Sequence, residues 1–177
     1  MKAIIRKDIL NKRKYKDNVN ASKICFDALI LSNILDKFNS IGIYYPIRNE
    51  INLMPLIDYY PNKKFYLPKT LDTLVFREYN GTLIDGPFKT KETTGSEVNR
   101  DMIECFIIPC VGVNKELKRI GYGKGYYDRY LSGYSGLKIG ICYKEDSNLD
   151  LELDEYDLKL DILITGWFLL WIVQLFY

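Results

Sequence analysis

The sequence predicts a single α/β domain, a three-layer α/β/α arrangement around a largely parallel central sheet. Three observations carry that reading. Short apolar, β-rich runs alternate along the chain with segments of helical periodicity, the pattern of strands joined by crossover connections. The first of these runs is apolar on both faces, as a strand covered on both sides is. With 177 residues and 47% apolar content, the chain can bury one ordinary core. The reading assigns residues 1–165 to this domain and sets residues 166–177 apart as an apolar tail.

Taken in order, residues 1–18 are basic and polar, lack the apolar core of a secretory signal, and fit a helix. Ile5 and Ile9 share one face; Lys12, Arg13, Lys14 and Lys16 extend the positive surface around Lys2, Arg6 and Lys7. Taken alone, this segment reads as a solvated charged helix. Residues 20–38 carry Ile24, Ala28, Leu31, Leu35 and Phe38 at three- and four-residue steps behind Asn20 or Ser22 as candidate caps. That spacing predicts a core-packing helix without chemistry. Residues 41–45, stopped by Pro46, read as a central parallel strand. Residues 64–68 and 71–77 read as strand, turn and strand, with an Asn80-Gly81 turn beyond them. Residues 101–108 form a strand, 126–131 open a helix, and 137–143 and 161–165 are the last strands.

The most informative stretch follows an apolar run ending in Pro109: Arg119-Ile120-Gly121-Tyr122-Gly123-Lys124-Gly125-Tyr126-Tyr127-Asp128-Arg129-Tyr130-Leu131. Strand, glycine loop and helix start, in that order, suit a phosphate. Glycine lets backbone N–H groups approach an anion and tolerates positive φ, and a helix start offers unpaired donors. Arg119 and Lys124 add full positive charge on either side. The loop is neither common nucleotide signature, since Gly125 rather than Ser or Thr follows Lys124, and Lys124 alone precedes the last glycine. From spacing alone, a tight glycine turn without a ligand stays open as the lesser alternative.

Composition narrows the chemistry. Lys and Arg total 25 against 23 acidic residues, so there is no general electrostatic case for nucleic acid. Histidine is absent, which removes Ser-His and Cys-His triads and any histidine-rich metal site. Cys25, Cys105, Cys110 and Cys142 show no C-x-x-C spacing and lie in apolar surroundings, as reduced core thiols of a cytoplasmic protein do.

The string from Arg119 to Leu131, preceded by its apolar Pro-containing strand, resembles the signature of the 5-formyltetrahydrofolate cyclo-ligase family, also called methenyltetrahydrofolate synthetase. The resemblance covers the chain to about Thr165 and implies an ATP- and Mg²⁺-dependent cyclisation of 5-formyltetrahydrofolate to 5,10-methenyltetrahydrofolate, with ADP and phosphate as products. Lys2 and Arg6 match a family pair four residues apart in the first helix that touches the nucleotide. Arg119, Ile120, Gly121, Tyr122, Gly123, Lys124, Gly125, Tyr126 and Tyr127 match its nucleotide loop, with Lys124 and Arg119 in catalytic roles.

Glu50 matches a substrate-binding glutamate, with Tyr45, Tyr122 and Tyr126 beside the folate. A carboxylate can accept hydrogen bonds from the donor edge of a pterin; without the resemblance, Glu50 reads equally as a helix N-terminal carboxylate. The family usually carries Thr where this chain has Leu53, a departure that bears on the polar surroundings of the substrate. Asp128 and Asp157 match its magnesium ligands. Residues 88–93 keep only Phe88 and Glu92 of a family motif rich in Gly and Pro, which predicts a looser loop between Gly86 and Asn99.

Two other classes stay in view: a non-catalytic nucleotide- or folate-binding relative, and a nucleic-acid module built on the basic first helix and the 15 tyrosines. Neither a nucleic-acid partner nor a membrane is expected, and the chain is expected to be a monomer or weak homodimer. The uncharged run 162–177 is shorter than the roughly 20 residues that span a bilayer, and packing or an artefact is favoured over an anchor for the tail.

Overall fold

The computed structural model describes residues 1–87 and 90–166. Two helices lead the chain, α1 (Lys2–Arg13) and α2 (Asn18–Leu31), followed by β1 (Ser40–Gly42), α3 (Leu56–Tyr59), β2 (Lys64–Thr70) and β3 (Leu74–Glu78). Then come β4 (Leu83–Asp85), β5 (Lys91–Thr93), β6 (Glu97–Val98), β7 (Cys105–Pro109), β8 (Gly112–Val113) and β9 (Arg119–Ile120). The last elements are α4 (Tyr126–Tyr130), β10 (Leu137–Cys142) and β11 (Ile162–Thr165). The central sheet has the order β11-β10-β7-β1-β2-β3-β6. Its first five strands are parallel, and β3 and β6 extend the β2 edge antiparallel.

The apolar runs are strands because both sheet faces are covered. In β7, Cys105 and Ile107 pack with Leu29 of α2 and Leu35, whereas Phe106 and Ile108 pack with Phe76, Leu131 and Tyr134. Alternation by two therefore feeds two cores, and burying each large side chain contributes roughly 1.5–3 kcal/mol. The layer over the second face consists of the short α4 and the segment around Leu158 and Leu160. Helix α1 packs Ile9 against Val111 and Ile120, beyond the end of β7.

Strand order also locates a crevice. From β1 the chain crosses to β2 on one side; from β7 it crosses to β10 on the other. The neighbouring carboxyl ends of β1 and β7 are thus a topological switch point, where open α/β sheets bind ligands.

Several local expectations are corrected. Helix α2 ends at Leu31, its cap is Asp17, which accepts from the Asn20 N–H at 3.1 Å, and Leu31 points to solvent at 65% exposure while Cys25 is buried. Strand β7 does not run directly into the glycine loop: the β8–β9 ladder intervenes, closed at Val111 N–Ile120 O (2.8 Å). The described part of the segment 86–99 from residue 90 on is not a loose loop, since β5 pairs with β4, β6 pairs with β3, and Thr93 Oγ1 donates to Glu78 O at 3.0 Å. Within it Glu92 is buried against Lys69 (3.2 Å), replacing the rigidity that Gly and Pro would give. Leu53 is fully enclosed in the α2-side core and takes no part in a polar site. Phe88 and the tail 167–177 lie outside the described residues. Among the described residues, no helix is long and apolar enough to cross a membrane.

Candidate active site

Helix α1 brings Lys2 and Arg6 to the glycine loop on one face, as their spacing of four requires. Arg6 Nε donates to Gly121 O at 2.7 Å, and the Lys2 ammonium pairs with Asp157. Lys2, Arg6, Gly121, Gly123, Gly125, Asp128 and Asp157 line one cavity of about 900 Å³, together with residues 131–134, Lys138 and the neighbours of Asp157. Gly123 and Gly125 hold φ of +94° and +66°, and a Cβ on Gly123 would stand 2.8 Å from Arg6 Nη1. The glycines are therefore needed both for the curl and for the approach of the first helix.

Asp128 sits in α4. Its Oδ1 accepts from the Leu158 N–H at 3.1 Å, and its Oδ2 lies 3.9 Å from Arg119 Nη1. This ties the glycine-loop segment to the residue following Asp157. Arg119 is a strand residue, 4% exposed, with Nε donating to Pro109 O at 2.9 Å and its guanidinium 4.9 Å from the Tyr127 ring centre. It charges the loop from beneath rather than flanking it. Lys124 is exposed and makes no hydrogen bond or ion pair among the described residues, which leaves its ammonium available to an anion. Ile120 is wholly buried against Ile9 and Val111, so its side chain offers nothing to a ligand. Helix α4 spans five residues, so the anion-binding capacity here rests on loop N–H groups and side-chain charge.

A second, much smaller pocket, too tight in this structure to admit a water molecule, surrounds Glu50. It is lined by Arg13, Tyr44, Glu50, Ile51, Pro109, Cys110, Ile141, Cys142 and Tyr143, at the ends of β1, β7 and β10. Glu50 is 5% exposed; its Oε2 accepts from the Ile47 N–H and its Oε1 from the Tyr122 hydroxyl, both at 2.9 Å. Burial raises its pKa above the ordinary carboxylate value, an effect partly offset by those two hydrogen bonds and by the positive charge of Arg13 and Arg119. The turn carrying it holds Arg48 and Asn49 at positive φ, so Glu50 belongs to a tight loop and not to a helix N-terminus. Tyr122 reaches from the glycine loop to this second pocket, bridging the two halves, with the Arg48 guanidinium 5.4 Å from its ring centre. Tyr45, Tyr126 and Tyr127 are half-buried and line neither pocket, Tyr126 lying beside the Arg129 guanidinium.

One residue escaped the sequence reading. Arg13, expected on the positive surface, is 1% exposed and donates through Nη2 to Cys110 O (2.7 Å) and Val111 O (3.1 Å). The available signal was its position four residues beyond Ile9 and eight beyond Ile5, in the apolar stripe of α1.

The profile of the 5-formyltetrahydrofolate cyclo-ligase family matches residues 1–166, the whole of the described fold. The chain belongs to this family. A 5-formyltetrahydrofolate cyclo-ligase of Mycoplasma pneumoniae is 32% identical over 170 residues, covering 93% of this chain and 98% of the relative. A Schizosaccharomyces pombe protein named as a probable 5-formyltetrahydrofolate cyclo-ligase is 30% identical, covering 67% of this chain and 70% of its own length. The solution structure of Aquifex aeolicus 5,10-methenyltetrahydrofolate synthetase superposes with a TM-score of 0.81 at 29% identity, over 93% of this chain and 89% of that one. The Mycoplasma pneumoniae synthetase structure gives 0.79 at 28%, over 93% and 98%.

Proposed function

We propose that this chain uses ATP to cyclise 5-formyltetrahydrofolate to 5,10-methenyltetrahydrofolate, releasing ADP and phosphate. The observation that carries the reading is the convergence of Lys2, Arg6, the three glycines, Asp128 and Asp157 on one cavity, with Tyr122 linking it to the buried Glu50. A formamide oxygen is a poor leaving group. In the proposed sequence that oxygen attacks the γ-phosphorus and ADP departs; N10 then attacks the activated formyl carbon, loses its proton, and expels phosphate.

Such chemistry asks for alignment and charge neutralisation rather than a protein nucleophile, which suits a chain without histidine. Lys2, Arg6 and Lys124 would neutralise the polyphosphate, Arg119 would support the loop from below, and N–H groups around Gly121, Gly123 and Gly125 would cradle it. Glu50 would orient the pterin through its donor edge, with Tyr45, Tyr122 and Tyr126 beside it. Ordering both substrates before reaction is the main contribution such a site makes.

Asp128 and Asp157 suit a magnesium ion, being two hard oxygen donors on the wall that also carries the phosphate-binding cations. Among the described residues no group of three or more Asp, Glu, His or Cys is arranged to hold a metal, so phosphate oxygens and water would complete the shell. Bound there, magnesium would offset negative charge on the transferring phosphate.

The test is turnover of 5-formyltetrahydrofolate by the purified chain, following methenyl product and ADP together. Folate-dependent ADP release, lost in Lys124→Ala and Asp128→Ala, is the expected result. Retained ATP or folate binding without turnover would instead make the chain a binding-only relative.

A further inference from the structure

A guanidinium is costly to bury, and Arg13, at 1% exposure, meets partners through both Nη atoms while its Nε is left without one. Its Nη2 spans two carbonyls at the end of β7, Cys110 O and Val111 O. Its Nη1 donates to the Tyr122 hydroxyl at 3.3 Å, and that hydroxyl donates to Glu50 Oε1. The backbone closes the same circuit: Asn49 Nδ2, next to Glu50, donates to Arg13 O at 2.7 Å and Lys16 O at 3.1 Å. Arg13 therefore fixes three things to one another, the end of β7, the glycine-loop tyrosine and the glutamate turn.

We propose that Arg13 is a positioning residue for the folate half of the reaction, holding Tyr122 and, through it, the Glu50 carboxylate in register with the substrate. The inference rests on the reading of Glu50 as the folate-orienting carboxylate. A lysine cannot replace this arrangement, because two carbonyls and a phenol are met by a planar fork and not by a point charge.

The electrostatics give a readout that packing alone would not. The cations that act on Glu50 are Arg13 and Arg119, and Arg48 in its own turn stands 5.4 Å from the Tyr122 ring centre. The other facing groups are phenols and thiols whose proton loss is pushed upward by burial: Tyr44, Tyr122, Tyr127 and Tyr143, with Cys110 and Cys142 in the pocket wall. Removing Arg13 takes away the first of these positive charges, and the Glu50 proton is then held to higher pH.

The experiment titrates the ¹³C side-chain carboxyl resonance of Glu50 in the ligand-free full chain, and measures both KM values, for Arg13→Lys, Arg13→Met, Tyr122→Phe and the Arg13→Lys/Tyr122→Phe pair. Arg13→Met is expected to move the Glu50 midpoint upward, and Arg13→Lys to leave it near the unaltered value. Arg13→Lys is expected to raise KM for 5-formyltetrahydrofolate about tenfold, the loss of one buried hydrogen-bond link, with KM for ATP unchanged. In the Tyr122→Phe background the same change is expected to add nothing to the folate KM, because the link it breaks is already gone.

Fully additive effects, or equal rises in both KM values, would overturn the proposal and leave Arg13 a packing residue. If Arg13→Met does not fold, the Arg13→Lys and Tyr122→Phe arms decide by the same additivity. The carboxyl titration needs no folate. Absence of turnover by the unaltered chain therefore sinks the folate reading, whereas an unmoved Glu50 midpoint sinks the role of Arg13.

Discussion

The Lys2 ammonium and the Asp157 carboxylate, 155 positions apart in sequence, are joined directly at the glycine-loop cavity. Each occupies the place that a ligand group of the same charge would take: the ammonium stands where a cation would meet Asp157, and the carboxylate where phosphate would meet Lys2. In the proposed reaction the arrival of magnesium nucleotide exchanges this pair for two new ones.

That exchange predicts the behaviour of Asp157→Asn. Loss of the carboxylate proposed to hold magnesium should lower kcat/KM for ATP about a hundredfold. Lys2 is released at the same time, so affinity for ATP without magnesium should hold or improve. The pair is partly exposed, and such pairs contribute about 0–1 kcal/mol, so Tm should barely move. Titration calorimetry with and without magnesium checks both; weakened metal-free ATP binding would argue against the exchange.

Gly123 offers a test of the loop geometry. At φ +94° any side chain is strained, by about 1–3 kcal/mol, and its Cβ would also press on Arg6 Nη1. Gly81 has φ +85° but nothing within 4 Å of an added Cβ. Gly81→Ala and Gly123→Ala should therefore lower Tm by comparable amounts, while only Gly123→Ala weakens ATP binding. Thermal melts beside nucleotide titrations separate strain from displacement of Arg6.

The parallel half of the fold was legible because its strands are largely buried: β7 is an unbroken apolar run, and β10 is interrupted by Lys138 alone, next to its first residue. The edge was not legible in the same way. Strands β4, β5 and β6 are two or three residues long and carry Asp85, Lys91 and Glu97, so nothing in periodicity distinguishes them from loop. The meeting of Lys2 and Arg6 with the three glycines was expected only through the family resemblance, since the first helix taken alone reads as a solvated charged surface. Arg13 was not legible, because its partners are the carbonyls of Cys110 and Val111, and a backbone carbonyl leaves no trace in sequence. Leu53 was misjudged for a related reason: its place three positions after Glu50 suggested the site, but the turn at Arg48 and Asn49 swings it into the core.

The thiols give a prediction independent of ligands. All four cysteines are free and buried. Burial pushes Cys25 and Cys105 up to about 12 and Cys110 up to about 11, and it also raises Cys142 well above the ordinary thiol value. Thiolate is the reactive form, so a disulfide reagent at mildly alkaline pH should find no fast-reacting thiol in the folded chain and four after denaturation. A fast-reacting thiol in the native protein would contradict this burial.

Glu50 should show a conflict between stability and activity. Burial, the largest influence on it, raises its folded pKa above that of the unfolded chain. Between those two values the folded state binds the extra proton, so stability falls as pH rises through that window and stays lower above it. Glu50→Gln removes the charge while its amide oxygen can still accept from the Ile47 N–H, and its NH₂ can donate to a reoriented Tyr122 hydroxyl. The variant should therefore gain Tm at neutral pH relative to the unaltered chain, and the gain should disappear as pH falls below the ordinary carboxylate range. Turnover should move the other way, falling about a hundredfold, because a donor edge of the substrate is left facing an amide that offers one acceptor in place of a carboxylate. In the unaltered chain kcat/KM for the folate should rise with pH along a limb set above the usual carboxylate range, and Glu50→Gln should abolish that limb. Melting curves and rates across the same pH series check the two signs together; a variant that lost stability and activity in parallel would mean that the carboxylate serves the fold rather than the substrate.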